Sequence, residues 1–385
     1  MSNIIDKLNK KSNPPWDFSS YMETALYDSE IGYYTNERQK LGTEGDFYTS
    51  NHVHAVFAET FARFFTDVLE KEQLPPFLCE WGAGDGTFAY HTLSYLRRQD
   101  STIALNLTYL IVEASPHHRA VLRDHLAEFK HQVKIYDCFE ELKEDFPDYQ
   151  GILFSNELLD AFPVHVVEQH KDGLKEVLIE ESGKKLIETV KFCENKEIKR
   201  WMEQFGPQLP EGHRMEVNLE MKNWLTKVSS WLKKGMLVTV DYGYTNEELI
   251  LPERKEGSIR GYRNHKMVKN PLCYPGEMDL TSHIQWDAYN QLAMNEGLEM
   301  VCRERQDQFL LKAGLFTFLQ PAVNMNPFSE EFKKNRAIQS FVQPGGISTS
   351  FQVNIHGKGL NKTNEYIFFH EDPYQISTSE TKTGN

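Results

Sequence analysis

Three glycines and a set of carboxylates, spaced as a tight turn and a row of strand ends, are the residues of this chain best suited to do chemistry together. The run Phe77–Thr87 reads Phe-Leu-Cys-Glu-Trp-Gly-Ala-Gly-Asp-Gly-Thr. Gly82, Gly84 and Gly86 allow bare backbone to approach a small ligand, and a helical pattern begins at Thr87, whose N-terminal amides can receive a carboxylate. Glu80 stands just before the turn, Glu113 ends the next strand-like run and Asp137 the one after. An acid at the second of these ends can accept both hydroxyls of a ribose, and one at the third can reach an adenine amino group. A second cluster, Asn156, Glu157 and Asp160, follows the fourth strand-like run. Glu157 and Asp160 are three apart and share a face if that turn is helical. Paired acids suit a planar cation with five donors and can take up a proton as a bond forms. Asn156 suits either the amino-acid end of a cofactor or the orientation of an acceptor.

The elements that must position these residues can be read from the pattern. Strand-like runs occur at Phe77–Trp81, Leu107–Glu113, Gln132–Tyr136 and Gly151–Phe154, with helical patterns at Thr87–Arg98 and Pro116–Phe129 between the first three. Such alternation predicts an α/β fold with a doubly wound, mostly parallel sheet, whose strand C-termini share one edge. The segment 1–76 reads as helical and lid-like, with helices at Phe18–Tyr27 and His54–Leu69. The rest, 77–370, reads as one domain with insertions at about 164–217 and 245–281, before a polar tail, 371–385, of disorder-prone composition. Within the first insertion, Val164–Val190 reads as antiparallel strands. Leu219–Leu232 is a helix with Gly235 as its C-cap, and Met236–Val240 returns to the sheet. Leu298–Glu304 and Phe351–His356 are later strands, the last expected antiparallel at the sheet edge.

Charge at the glycine turn narrows the cofactor. The spacing G-x-G-x-G is neither the G-x-G-x-x-G of dinucleotide binders nor a phosphate loop ending in G-K-[ST]. Three carboxylates with no phosphate ligand nearby disfavour a pyrophosphate. They favour S-adenosylmethionine, which carries a sulfonium and an ammonium, with Glu80 holding the ammonium directly or through water. The net charge of −14 argues against a general nucleic-acid binder while leaving room for a basic protein substrate. The five cysteines, Cys79, Cys138, Cys193, Cys273 and Cys302, contain no CxxC metal site and fit reduced thiols in the cytoplasm. No stretch approaches the roughly 20 apolar residues of a membrane span.

The glycine turn resembles motif I of class I methyltransferases, and the chain from about Phe18 to Gly357 resembles the MidA-type family, whose mitochondrial members are complex I assembly-factor arginine methyltransferases. The resemblance is carried by Tyr21-Met22 and Gly32-Tyr33-Tyr34, by Gly45-Asp46-Phe47-Tyr48-Thr49-Ser50, and by Asn156–Val164. Asp241-Tyr242-Gly243, Arg260-Gly261-Tyr262 with His265, and Pro275–His283 extend it. The chain departs from the family at Trp81 and Ala83, where Leu and Pro are usual, and at Asn51-His52, where Pro-Glu is usual. The resemblance implies a Rossmann-like class I fold, S-adenosylmethionine as cofactor, and a protein substrate with an exposed arginine. It folds the Gly45, Asp46, Phe47 loop over the cofactor as a lid. Glu157 and Asp160 are then the candidate catalytic acids, and His283 a candidate general base. Two rivals follow from the same residues: a small-molecule O- or N-methyltransferase using His283, and a non-catalytic assembly chaperone that keeps the cofactor site.

Overall fold

The computed structural model describes residues 2–35, 54–99, 101–183, 185–264, 266–321, 326, 328–369 and 374. Its main sheet is built from β1 (Phe77–Trp81), β2 (Thr108–Val112), β3 (Val133–Tyr136), β4 (Tyr149–Asn156), β5 (Leu232–Tyr244), β6 (Glu299–Arg305) and β7 (Phe351–Lys358). Across the sheet the order is β6-β7-β5-β4-β1-β2-β3. The five strands from β5 to β3 are parallel. Strand order reverses at β1 and β4, so the ends of these two strands flank the crevice where an open α/β sheet takes its ligand.

Alternate residues of each central strand feed two cores. Leu78, Ile111, Phe154 and Val238 point into one, and Cys79, Leu110, Leu153 and Leu237 into the other. That period-two pattern, apolar on both faces, is what a buried parallel strand requires. The labelled helices are α1 (Phe18–Tyr27), α2 (Val56–Lys71), α3 (Thr87–Arg97), α4 (Pro116–His125) and α5 (Leu219–Trp231). Phenylalanines at helical spacing on α2 fill the first core, where Phe61 meets Phe154 of β4 at 5.3 Å and Phe88 of α3 stacks on Phe154 at 4.3 Å. Trp224 and Trp231 of α5 pack into the second core.

Residues 165–217 form an antiparallel sheet of His165–His170, Gly173–Ser182, Lys185–Phe192 and Arg214–Val217. Trp16 and Asp17, ahead of α1, pair with Ile179 and Leu178 of this sheet. Asp17 then caps α1 by accepting from the Ser20 amide at 2.7 Å. The excursion after β5 forms a three-stranded antiparallel sheet of Arg260–Arg263, Lys266–Val268 and Asp279–Thr281. Helix α1 packs against it, and the Tyr21 hydroxyl donates to the Pro271 carbonyl at 2.8 Å. The first and last thirds of the chain are thus joined on one side of the main sheet.

Two expectations change. The last strand is antiparallel but not at the edge: β7 lies between β5 and β6, buried along most of its length. Gly235 is not a helix cap. It lies inside β5 opposite Gly151, at φ +145°, and a Cβ there would sit 1.9 Å from the Gly151 carbonyl oxygen. A helix at Glu330–Val342 follows, whose buried residues Ala337, Ile338 and Phe341 are confined to its C-terminal half, too short an apolar face for the sequence pattern to announce it. The tail from 371 lies outside the described residues apart from Tyr374. Among the described residues no helix is long and apolar enough to cross a membrane.

Backbone crowding at Gly235 predicts that Gly235→Ala lowers stability by at least about 2 kcal/mol, because neither strand can move aside without losing ladder hydrogen bonds. The midpoint of urea unfolding reads this directly.

Candidate active site

A cavity of about 660 Å³ opens at the C-terminal ends of β1, β2 and β4, with α1 and α5 lining it further out. The glycine turn forms one wall. Gly82 and Gly84 have φ of +76° and +57°, the left-handed conformation that glycine adopts without strain. The Gly84 amide donates to Glu113 Oε2 at 3.0 Å, and the Ser115 amide donates to Oε1 at 2.8 Å. Glu113 therefore braces the turn from the neighbouring strand while lining the cavity. A Cβ on Gly82 would lie 2.9 Å from Leu158 Cδ1, so glycine keeps this wall close to the turn after β4.

That turn carries the second cluster. Glu157 has φ +50°, which costs a non-glycine residue about 1–2 kcal/mol and is held by its amide donating to the Val240 carbonyl at 2.9 Å. Asn156 Nδ2 donates to Glu157 Oε1 at 3.1 Å. The Asn156 Oδ1 is buried and has no hydrogen-bond partner among the described residues. Asp160 is 4% exposed and accepts at Oδ2 from the Tyr242 hydroxyl, while its Oδ1 accepts no hydrogen bond among the described residues. Burial pushes Asp160 up to about 6, and the hydrogen bond from Tyr242 holds it down. Fully buried Asp241 accepts at Oδ2 from the amides of Leu159 at 3.0 Å and Asp160 at 3.3 Å. Burial first, then the charge of Asp160, raises Asp241 well above the usual carboxylate range.

Gly82, Gly84, Glu113, Asn156, Glu157 and Asp160 thus share one cavity. The other candidates are placed differently. Glu80 is behind the wall, where it accepts from the Tyr109 hydroxyl at 2.7 Å and burial pushes it up to about 8. It is not among the residues that line the cavity. Gly86 is the N-cap of α3, and the Thr87 amide donates to Asp85 Oδ1 at 3.0 Å. An aspartate side chain has occupied the amide expected to receive a carboxylate, and neither Gly86 nor Thr87 lines the cavity. Asp137 is paired with Arg119 Nε at 2.8 Å and is also outside it. His283 sits behind Tyr242 and Tyr244, with ring centroids 5.1 and 4.7 Å away, and its Nε2 meets Arg260 Nη2. Burial and the Arg260 charge push it down to about 3, and it has no face on the cavity. Gly45, Asp46 and Phe47 lie outside the described residues.

The cavity also contains residues that local spacing did not single out. Tyr27 and Tyr34 line it with their rings stacked at 5.5 Å, and buried Asp279 lines it from the late insertion. Trp224 of α5 and His118 of α4 complete it. Tyr34 and Asp279 both fall in stretches that carried the family resemblance, which was the available signal for them.

A family described as S-adenosyl-L-methionine-dependent methyltransferase matches residues 57–302, more than half of the chain. The chain belongs to this methyltransferase family. It is 26% identical over 318 residues to the mitochondrial protein arginine methyltransferase NDUFAF7 homolog of Drosophila melanogaster, covering 76% of this chain and 69% of that one. To the NDUFAF7 of Xenopus laevis it is 24% identical over 339 residues, covering 82% and 74%. Its fold matches a superfamily member from Burkholderia thailandensis, solved bound to S-adenosyl-homocysteine, with a TM-score of 0.82 at 24% identity, covering 94% of this chain and 92% of that one.

The residues of this methyltransferase fit its cofactor, S-adenosylmethionine. Bare backbone at Gly82 and Gly84, an acid at the end of β2, and the unsatisfied, buried Asn156 Oδ1 would offer it a close wall, a diol acceptor and an acceptor for an ammonium. Replacing Glu113 with Ala removes the diol acceptor and unties Gly84 and Ser115. Calorimetry is expected to show weaker S-adenosylhomocysteine binding by on the order of 1–3 kcal/mol, and unchanged affinity would remove Glu113 from the cofactor set.

Proposed function

We propose that the methyltransferase acts on an arginine side chain of a protein. The observation that carries this reading is that Glu157 and Asp160 line the same cavity as the glycine turn, on the turn that follows β4. The names of the relatives, as protein arginine methyltransferases, agree with it.

The cofactor, when bound, would supply an electrophilic methyl group whose carbon–sulfur bond breaks with its electron pair returning to the sulfur, leaving the thioether S-adenosylhomocysteine. Guanidinium is a poor nucleophile because its charge is spread over the plane and its pKa lies above about 12. Glu157 and Asp160 together localise that charge and align one nitrogen. As the nitrogen gains a bond to the methyl carbon it loses a proton, and Asp160 Oδ1, with no other hydrogen bond among the described residues, is the atom that receives it. Its raised pKa makes Asp160 a stronger base than an exposed carboxylate. Tyr242 fixes the other oxygen, and Asp241 fixes the backbone beneath. The position of His283, outside the cavity and against Arg260, weakens the small-molecule reading that needs it as base. We also propose a cytoplasmic location. The five free thiols support a reducing compartment, although the named relatives are mitochondrial.

Incubation of the purified protein with methyl-labelled S-adenosylmethionine and whole lysate tests the acceptor. Acid-stable methylarginine in a discrete protein is expected. Label confined to small molecules would establish the first rival, and cofactor binding without any transfer the chaperone. Glu157→Gln is expected to keep cofactor binding by calorimetry and lose transfer; normal turnover would take it out of the catalytic set.

The pH profile gives a separate test. Transfer needs Asp160 ionised, so kcat/KM should climb with pH to a break near 6. The Tyr242 hydroxyl favours the charged form, so Tyr242→Phe should move that break upward. A break unmoved by this change would separate Asp160 from the rate.

A further inference from the structure

Asp279 is 4% exposed, yet it lines the cavity, on a strand 119 positions beyond Asp160 in the sequence. The late insertion brings it there. The Ser282 amide donates to the Asp160 carbonyl at 2.9 Å, so the strand Asp279–Thr281 ends directly beside the Asp160 turn. Asp279 Oδ1 accepts from the Tyr34 hydroxyl at 2.8 Å and from the Leu280 amide at 2.8 Å. Tyr34 and Tyr27 stack with an interplanar angle of 29°, and the Tyr27 hydroxyl donates to the Ala161 carbonyl at 2.8 Å. Burial, followed by the nearby charges of Asp279 and Asp160, raises both phenols well above their ordinary range. The aromatic pair therefore stands between two acids on different elements. A second observation points to a ligand there. Asp160, a residue of the same cavity wall, has a buried Oδ1 that accepts no hydrogen bond among the described residues.

Resting on the arginine reading above, we propose that Asp279, held by Tyr34 beside the Tyr27 ring, is the residue that fits the acceptor pocket to guanidinium over ammonium. A guanidinium has five donors around the edge of a plane and a face that stacks on aromatic rings. Acids on separate elements can meet different edges of that plane while the rings cover a face. An ammonium is a compact charge with three donors and draws no comparable gain from acceptors spread around a plane. Two hydrogen bonds to Oδ1 hold the Asp279 carboxylate in place before any acceptor arrives, so the pocket loses little freedom on binding.

The test uses the full chain with Asp279→Asn and Tyr34→Phe. Each is assayed for S-adenosylhomocysteine affinity by calorimetry, for labelled arginine in lysate protein after acid hydrolysis, and for competition by the amides of Nα-acetylarginine, Nα-acetylcitrulline and Nα-acetyllysine. The wild-type protein should label arginine, and the arginine amide should compete at about tenfold lower concentration than the other two. Both variants should bind S-adenosylhomocysteine as the wild type does. In Asp279→Asn the labelling of arginine should fall by tenfold or more and the advantage of the arginine amide should vanish, as a charged hydrogen bond is lost. Tyr34→Phe keeps the ring and removes only the bond that aims Asp279, so its arginine amide should compete about fivefold less well. If Asp279→Asn loses cofactor binding and does not fold, Tyr34→Phe decides. Wild-type labelling of arginine with both variants unaltered overturns this role for Asp279 and leaves the arginine reading intact. Absence of methylarginine from the wild-type reaction overturns both.

Discussion

Asp241 accepts hydrogen bonds from the amides of Leu159 and Asp160 while wholly removed from water, and the reacting end of the site depends on that grip. A buried carboxylate is costly unless its lone pairs are used. Here it is supplied with backbone donors, including the Tyr242 amide at 2.9 Å. The same short turn is held from other directions. Asn218 Nδ2 donates to the Leu159 carbonyl at 3.2 Å, and the Ser282 amide donates to that of Asp160. Segments that follow both insertions thus converge on two residues, Leu159 and Asp160. The insertions are part of the machinery that fixes Asp160.

The two ends of the cavity are built on different principles. At the glycine turn the wall is backbone, drawn close by positive φ and braced by Glu113, and its chemistry is that of shape and a single well-satisfied acid. At the turn after β4 the wall is side chains: paired acids, a strained backbone at Glu157 and stacked tyrosines. Strain at Glu157 is stored where it directs a carboxylate, and the parallel pairing of β4 with β5 pays to keep it. The glycine-turn end is built from neighbouring strand ends, whereas the end at Asp160 draws on α1, β4, β5 and the late insertion together.

How much of this was legible in the sequence follows from the range of the interactions. The parallel strands and their helices were readable because period-two and period-3.6 patterns are local. Gly82, Gly84 and Glu113 were readable for the same reason, since each stands at a fixed offset from a strand end. For Glu80 the position before the turn does not reveal which neighbour it meets, and that neighbour is Tyr109 on β2. Thr87 and Asp137 were lost to side chains close by, Asp85 and Arg119, whose rotamers no spacing encodes. The bond from Tyr34 to Asp279 spans 245 positions, so nothing near either residue announces the other. His283 stands two residues beyond a cavity-lining strand, yet it packs against Tyr242 and Tyr244 and meets Arg260, contacts that no spacing encodes.

The central place of β7 governs how this molecule can be made. β5, which carries Asp241 and Tyr242, pairs with β4 on one side and with β7 on the other, through eight successive residues. Until synthesis has passed Lys358, that second side of β5 is an open row of amides and carbonyls beside an apolar strand, the kind of edge that recruits foreign chains. The nascent protein can assemble its glycine turn early, from β1, β2 and β4, but must wait for a strand made more than a hundred residues after β5 before the sheet under Asp241 is closed.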